Sequence, residues 1–353
     1  MIRQLPAPTS GGLILSYKCS AACKHCMYAC SPKWPADWIT EADLESMLAQ
    51  LAETIQPSPH GPEAIGVNDG LHFTGGEPFL NFRLLCRAAE IARDLGIPST
   101  FVETNAAWCI NDQITREKLR LLKDKGLKGI LISVNPYFLE YVPFERTECC
   151  IRNSLEIFRP NVIVYQLEYY KRFKNWGFTG TVSLEEYFWK EKQEDFARNV
   201  EFFLMGRAPY ALRGRLQEHF PRYPASVLVG LACQLPFLRP WHNHFDNYGN
   251  YVPGFCAGVS LGDCRHLDRL LREGVSTEDR PVLKFLMEED LGGLLRFARE
   301  RGYEEAKGGY FSSCHLCVDL RRHLAASGRF AELNPAEFYQ HLEEAEPPRV
   351  TTH

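Results

Sequence analysis

The sequence predicts an α/β fold built on a parallel sheet, followed by a smaller cysteine-rich region. Three observations lead there. Short apolar runs alternate with amphipathic helical stretches over about the first 205 residues, segments rich in Cys, Gly and polar residues follow the strand-like runs, and the alternation stops near Leu212, where cysteines return. Parallel sheets covered by helices bind ligands at the C-terminal ends of their strands, so the segments after the strands are where chemistry is expected.

The run Gly12-Leu13-Ile14-Leu15-Ser16-Tyr17 reads as the first strand. Thr40, with Asp43 three residues on, opens a helix whose Leu44, Met47, Leu48, Leu51 and Ile55 keep helical spacing. After a Pro/Gly-containing loop over about 58–70, Leu71 to Thr74 is a short strand that runs into Gly75-Gly76-Glu77-Pro78, with a helix from about Asn81 to Leu95. Thr100 to Thr104 is the next strand, and Asn111 or Asp112 caps a helix ending at Gly126. Ile130 to Val134 is a buried strand, Glu148 to Phe158 a helix, and Val162 to Leu167 a further strand. Ser183 with Glu186 begins a helix reaching about Met205, and Gly206-Arg207-Ala208-Pro209 breaks the pattern. The boundary is set between 1–210 and 211–353.

With 353 residues the chain is long enough for two domains and a sizeable core. A net charge of -4, from 40 basic and 44 acidic residues, gives no broad cationic field for nucleic acid or an anionic membrane surface. The basic run from Arg116 to Lys128 falls on a predicted helix and reads as a solvated face. No apolar stretch reaches the roughly 20 residues needed to cross a bilayer, and the first residues do not resemble a signal peptide. The expectation is a cytoplasmic protein with no nucleic-acid or membrane partner, in which cysteines serve metals rather than disulfides.

The first cysteines, Cys19, Cys23 and Cys26, are spaced C-x3-C-x2-C with His25 before the last. Three thiolates on one loop can hold three irons of a 4Fe-4S cube and leave the fourth open. Zinc is a second reading, although no fourth ligand stands at a usual zinc-finger interval. Cys30, followed by Ser31-Pro32, extends the run to a ferredoxin-like pattern, and a cube closed by Cys30 would only carry electrons.

In the cysteine spacing, and in Gly75-Gly76-Glu77-Pro78 after the second strand, the chain resembles the radical SAM superfamily. The resemblance implies a partial (β/α)6 parallel barrel. It implies that Cys19, Cys23 and Cys26 hold a 4Fe-4S cluster whose open iron binds S-adenosylmethionine, with His25 at the family's ring position and Cys30 not a ligand. It places Gly75, Gly76 and Glu77 at the cofactor, the glycines for close backbone approach and Glu77 as a negative partner for the cofactor's amino group. Asn105 and Ser133 match positions of polar cofactor contacts after the third and fourth strands, and each also fits a turn or cap. The implied reaction is reductive cleavage to a deoxyadenosyl radical, fed by a reducing partner such as flavodoxin or ferredoxin.

Cysteines recur at Cys233, Cys256, Cys264, Cys314 and Cys317, the last two as C-x2-C. Five in one region point to a second metal site. The segment from Asp246 to Cys256 resembles the hairpin before a cluster ligand in SPASM and twitch members, and Gly206-Arg207-Ala208 resembles their barrel-to-extension junction. That resemblance implies one auxiliary 4Fe-4S cluster on Cys233, Cys256, Cys314 and Cys317, with Cys264 as the substitute ligand. The insert from Arg265 to Phe311 adds helices through Leu283, Phe285, Leu286, Leu291, Leu294, Leu295 and Phe297.

His242 and His244 could act on a substrate proton, but hydrogen-bonded histidines are commoner. Tyr137, Tyr165, Tyr169 and Tyr170 fit a pocket wall or a core, and Cys149 and Cys150 fit helix packing. The leading expectation is a radical SAM enzyme acting on a small molecule. A peptide-modifying maturase is the second enzymatic reading, lowered because only 18 residues precede Cys19. A two-cluster electron carrier is the reading from another class.

Overall fold

The computed structural model describes residues 2–191, 203–233 and 235–343. Its strands are β1 (Ile2–Arg3), β2 (Gly11–Ile14), β3 (Leu71–Thr74), β4 (Phe101–Thr104), β5 (Gly129–Ser133), β6 (Val162–Tyr165), β7 (Asn243–Asp246), β8 (Tyr251–Val252) and β9 (Val275–Ser276). Seven of them form one sheet in the order β6-β5-β4-β3-β2-β7-β8, while β1 and β9 pair apart. Every neighbouring pair from β6 to β7 is parallel, and β8 returns antiparallel to β7. β2 and β3 are buried at every residue, although the Leu-His-Phe-Thr of β3 alternates apolar with polar side chains.

Side chains of β3, β4, β5, β6 and β7 line a single cavity of about 350 Å³. In a flat sheet β6 and β7 would stand about 24 Å apart, at roughly 4.8 Å per strand spacing. The sheet therefore curls: the alternation foretold its parallel strands, and the six of them make the partial barrel that the resemblance implied.

Helices form where their caps are satisfied. Thr40 accepts from the Asp43 amide to start Glu41–Ala52, Asn81 from Leu84 to start Phe82–Asp94, and Asn111 from Ile114 to start Asp112–Asp124. The first of these buries Leu44, Met47, Leu48 and Leu51, each stabilising by roughly 2 kcal/mol before entropy is counted. Helix Phe144–Phe158 begins earlier than expected, and Leu167–Asn175 follows β6 directly, so the strand there is shorter than its apolar run. Ser183 caps Leu184–Lys190, and the remainder of the helix expected up to Met205 falls largely outside the described residues. The basic face pairs with acids, including Arg116 with Glu156, Lys125 with Glu90 and Lys128 with Glu63.

The sixth parallel strand is β7, from the region expected to form the extension. Asn-His-Phe-Asp carries no apolar run, yet all four residues are buried. Their polar groups are met inside: Asn243 donates to the Arg239 carbonyl and accepts from the Gly254 amide, and Asp246 accepts from Tyr17, Tyr248 and Asn250. The β7-β8 hairpin occupies the start of the segment whose sequence resembled one. In the insert, Leu267–Glu273, Pro281–Met287 and Leu291–Arg299 are helical. Among the described residues no helix is long and apolar enough to cross a membrane.

Candidate functional site: a cysteine-lined cavity at the strand ends

Beyond β2 the chain enters the loop that carries Cys19, Cys23 and Cys26. Its ends are held together by a bridge between Lys18 and Ser31 and by the Cys19 amide on the Ser31 carbonyl at 3.2 Å. Inside the loop the Cys26 amide reaches the Cys23 carbonyl at 3.1 Å, and the Trp34 indole donates to the Ala29 carbonyl at 2.9 Å. The main clamp is Arg207, whose side chain is fully buried. Its guanidinium donates to the carbonyls of Cys23 (3.0 Å), Cys30 (3.1 Å), Ala29 (2.6 Å) and His341 (3.1 Å), and its amide donates to the Cys26 carbonyl at 3.1 Å. Gly206, at φ 57°, lets this approach happen, because a Cβ there would lie 2.6 Å from Met27 Cα.

The Gly75-Gly76 turn packs on the same loop. The Gly76 amide donates to the Ser16 carbonyl (2.8 Å) and the Glu77 amide to the Lys18 carbonyl (3.0 Å). A Cβ on Gly76 would stand 2.0 Å from the Lys18 carbonyl oxygen, and one on Gly75 2.3 Å from that of Ser16. The glycines thus serve a backbone-to-backbone approach inside the protein, a nearer cause than the ligand approach expected from sequence. Glu77 is likewise engaged inward: its carboxylate accepts from Thr104 Oγ1 (2.9 Å), the Asn105 amide (2.9 Å) and the Phe79 amide (3.2 Å). Burial raises its pKa to about 7 against the pull of those donors. It ties the end of β3 to the end of β4 and caps the turn Pro78–Asn81.

The cavity wall includes Cys19, Cys23, His25, Cys26 and Cys30 from the loop, Gly75 and Gly76 from the turn, and Asn105, Ser133 and Tyr165 from the later strand ends. Asn105 donates to Ser20 Oγ at 3.0 Å and points its amide at Cys19 Sγ at 3.7 Å. His25 stacks on Tyr137 at 4.5 Å with Nε2 3.1 Å from Asn135 Nδ2, and its buried Nδ1 has no hydrogen-bond partner among the described residues. His242 and His244 lie on the wall as well, whereas Tyr169 is core and Cys149 and Cys150 pack on their helix.

Burial pushes Cys19 up to about 12, helped by the Glu77 charge, and Cys23 well above the ordinary thiol range, helped by the thiols of Cys19 and Cys26. Cys26 goes the other way: a hydrogen bond from Cys30 and the Arg207 charge hold it below the ordinary range despite burial. Three soft donors on one wall, with a buried cation behind them and an orphaned imidazole nitrogen beside them, fit the donor chemistry of an iron-sulfur cluster. A bound metal overrides the cost of ionising the two buried thiols.

Cys233, Cys256, Cys314 and Cys317 line a second, largely apolar cavity of about 90 Å³. Ser312 caps the helix Ser313–Ala325, which sets Cys314 and Cys317 three residues apart on one face. Cys256, Cys317 and Cys233 each act on the charge of Cys314, so the four thiols form one electrostatic group. Phe285, Leu286, Leu291 and Leu294 of the insert wall the cavity. Arg321 lies buried against it, donating to the Ala257 carbonyl (2.8 Å) and Tyr339 Oη (3.0 Å). Burial opposes the Arg321 charge, but Tyr339, Cys317 and Cys256 outweigh that and raise its pKa. Four thiols around a buried arginine fit a second cluster. Cys264 stands apart, its thiol donating to the Gly249 carbonyl at 3.1 Å. Arg207 and Arg321 escaped sequence reasoning as clamps, since an arginine beside cysteines carries no spacing signal.

No family model and no curated protein matches the chain. Among solved structures it is similar to BtrN in complex with AdoMet and 2-DOIA, at 13% identity over 83% of this chain and 91% of that one, TM-score 0.39. It is similar to anSMEcpe with bound AdoMet, at 14% identity over 94% and 99% of the two chains, TM-score 0.42. SuiB of Streptococcus suis bound to S-adenosylmethionine is similar at 13% identity over 88% and 78%, TM-score 0.37. At TM-scores below 0.5 these likenesses decide nothing about the chemistry of this chain, which stands on its own residues.

Proposed function

We propose that this chain is a radical SAM enzyme with one auxiliary 4Fe-4S cluster, acting on a small molecule. The observation that carries the reading is the convergence of Cys19, Cys23 and Cys26 with Gly75, Gly76, Asn105 and Ser133 on one cavity at the C-terminal ends of parallel strands. Cys19, Cys23 and Cys26 would hold the first cluster, and Cys233, Cys256, Cys314 and Cys317 the second. The chemistry such a cluster would supply is one-electron reductive cleavage of S-adenosylmethionine, which would yield methionine and an adenosyl radical able to take hydrogen from a substrate carbon.

The protein's part is holding and excluding. Arg207 fixes the cysteine loop through its carbonyls, and the Gly75-Gly76 turn fixes it from the strand side. Asn105 and Ser133 offer polar contacts to the bound cofactor across from the cysteines, while Met27, Leu131 and Phe138 present apolar surface that keeps water out. A small electron-transfer protein of the flavodoxin or ferredoxin kind would supply the electron.

Cys30 supports a second reading. It lies on the same wall, and its thiol is the main influence holding Cys26 below the ordinary thiol range. As a fourth ligand it would close the cube and leave an electron carrier. The full chain, reconstituted anaerobically with iron and sulfide and given S-adenosylmethionine and dithionite, should release deoxyadenosine. Cys30→Ala should keep that activity and Cys23→Ala should lose it. A wild type that holds iron but yields no cleavage product refutes the enzyme reading, and loss of the first cluster in Cys30→Ala establishes the carrier.

A further inference from the structure

Below the cysteine loop, one row across the sheet reads His72, Gly12, His244. Gly12 of β2 is level with His72 of β3 on one side and with His244 of β7 on the other. Because Gly12 has no side chain, the two imidazoles close over it: a Cβ there would fall 2.2 Å from His72 Nε2 and 2.8 Å from His244 Cδ2. His242, in the left-handed region at φ 51°, turns its ring onto the same spot. The three ring centroids are 5.2 to 5.5 Å apart, and one nitrogen of each ring lies within 4.8 Å of the others. All three side chains are buried, at 1%, 6% and 2% exposure.

Their outer nitrogens are oriented. His242 Nδ1 sits 2.9 Å from Asn68 Oδ1 and His244 Nδ1 2.9 Å from the Gly254 carbonyl oxygen. Both oxygens only accept, so each Nδ1 carries the proton and each Nε2 turns a lone pair inward, as second-shell oxygens arrange for metal-binding histidines. Tyr28 Oη sits against the same ring, 2.9 Å from Nδ1 and 3.1 Å from Nε2 of His244. His72 Nε2 has no hydrogen-bond partner among the described residues, and its nearest anion, Glu103 Oε1, is 3.7 Å away. An orphaned buried nitrogen costs about 1–3 kcal/mol. Apolar side chains in these positions would avoid that cost.

We propose that His72, His242 and His244 form a three-histidine site for a divalent transition metal such as zinc on the floor of the cavity, with an open fourth position beside Glu103. The site is additional to both cysteine groups. Zinc at about 2.1 Å from each nitrogen needs nitrogens about 3.4 Å apart, so the rings draw together by about an ångström on binding. Three nitrogens with a free valence are the arrangement of catalytic rather than structural zinc. His242, His244 and Glu103 all reach the cavity, so the free valence can take a hydroxyl or carboxylate oxygen of a small molecule. That use of the metal rests on the enzyme reading; the binding itself does not.

The test takes the full chain reconstituted anaerobically with iron and sulfide, adds zinc sulfate, desalts it, and measures zinc and iron together. About one zinc per chain should remain, with a zinc X-ray absorption spectrum of nitrogen and oxygen near about 2.0–2.1 Å and no sulfur. His72→Gln and Gly12→Ala should each lower retained zinc at least tenfold with iron unchanged. The wild-type spectrum decides the case even where a variant does not fold. No retained zinc, sulfur scatterers near about 2.3 Å, or full zinc in both variants would overturn the proposal. A Cys19→Ala/Cys23→Ala/Cys26→Ala chain should still take up the zinc, which separates this site from the fate of the cluster reading.

Discussion

Removing the Arg207 guanidinium should release the cysteine loop. Arg207→Met keeps much of the side-chain volume but leaves the carbonyls of Cys23, Ala29, Cys30 and His341 without their donor in a fully buried setting. Hydrogen bonds to a charged group contribute about 1.5–3 kcal/mol each. The three on the cysteine loop, taken at the low end because losses in one network are not additive, give about 4 kcal/mol. Urea unfolding of the anaerobic protein, followed by circular dichroism, should show a loss of that size with an unchanged slope. Iron content should fall by about four per chain, as the loop no longer presents three thiols together. Arg207→Lys restores the charge but not the planar fork, and should recover less than half of the lost stability. A Met variant within 0.5 kcal/mol of wild type, holding full iron, would refute the role assigned to this residue.

Other outcomes follow from the thiol and carboxylate environments. In cluster-free protein, Cys26 should be alkylated by iodoacetamide at a lower pH than a free thiol, and Cys30→Ala should move its profile upward because the donated hydrogen bond is gone; identical profiles would remove Cys30 as the cause. Glu77, raised from 4.5 to about 7, binds its proton more tightly folded than unfolded, so its contribution is present below pH 4.5 and lost as pH rises to about 7. That amounts to about 3 kcal/mol, and in cluster-free protein Glu77→Gln should flatten the fall in urea stability between those pH values. An unchanged slope would show that the carboxylate does not titrate there. Cys314→Ala/Cys317→Ala should lower iron from about eight to about four per chain while Cys264→Ala does not; equal losses would bring Cys264 into the second group.

Strands β2 to β6 were legible because each is short and followed by a Gly or polar turn, and Leu71–Thr74 was readable to the residue. Helix starts were legible through Thr40, Asn111 and Ser183, whose side chains accept from amides three residues on. β7 was not, because its buried polar residues are satisfied by partners distant in sequence, such as Tyr17 with Asp246. The packing of Gly76 on the Lys18 carbonyl was not legible, because only pairing of β2 with β3 brings the two near.

The sequence by itself carried the local relations: three thiols within one loop, a C-x2-C pair, and Gly75, Asn105 and Ser133 at the ends of strands. Those relations span a few residues of chain, so they survive without a fold. What only the tertiary structure decided are relations of long range: Arg207 reaching back to the first cysteines, Arg321 lying buried beside the second group, and His72 of β3 meeting His244 of β7 and His242 just before that strand over Gly12. Each depends on a parallel register or a buried charge that pairs groups by position in the sheet, and residues so far apart in the chain leave no periodic trace in its sequence.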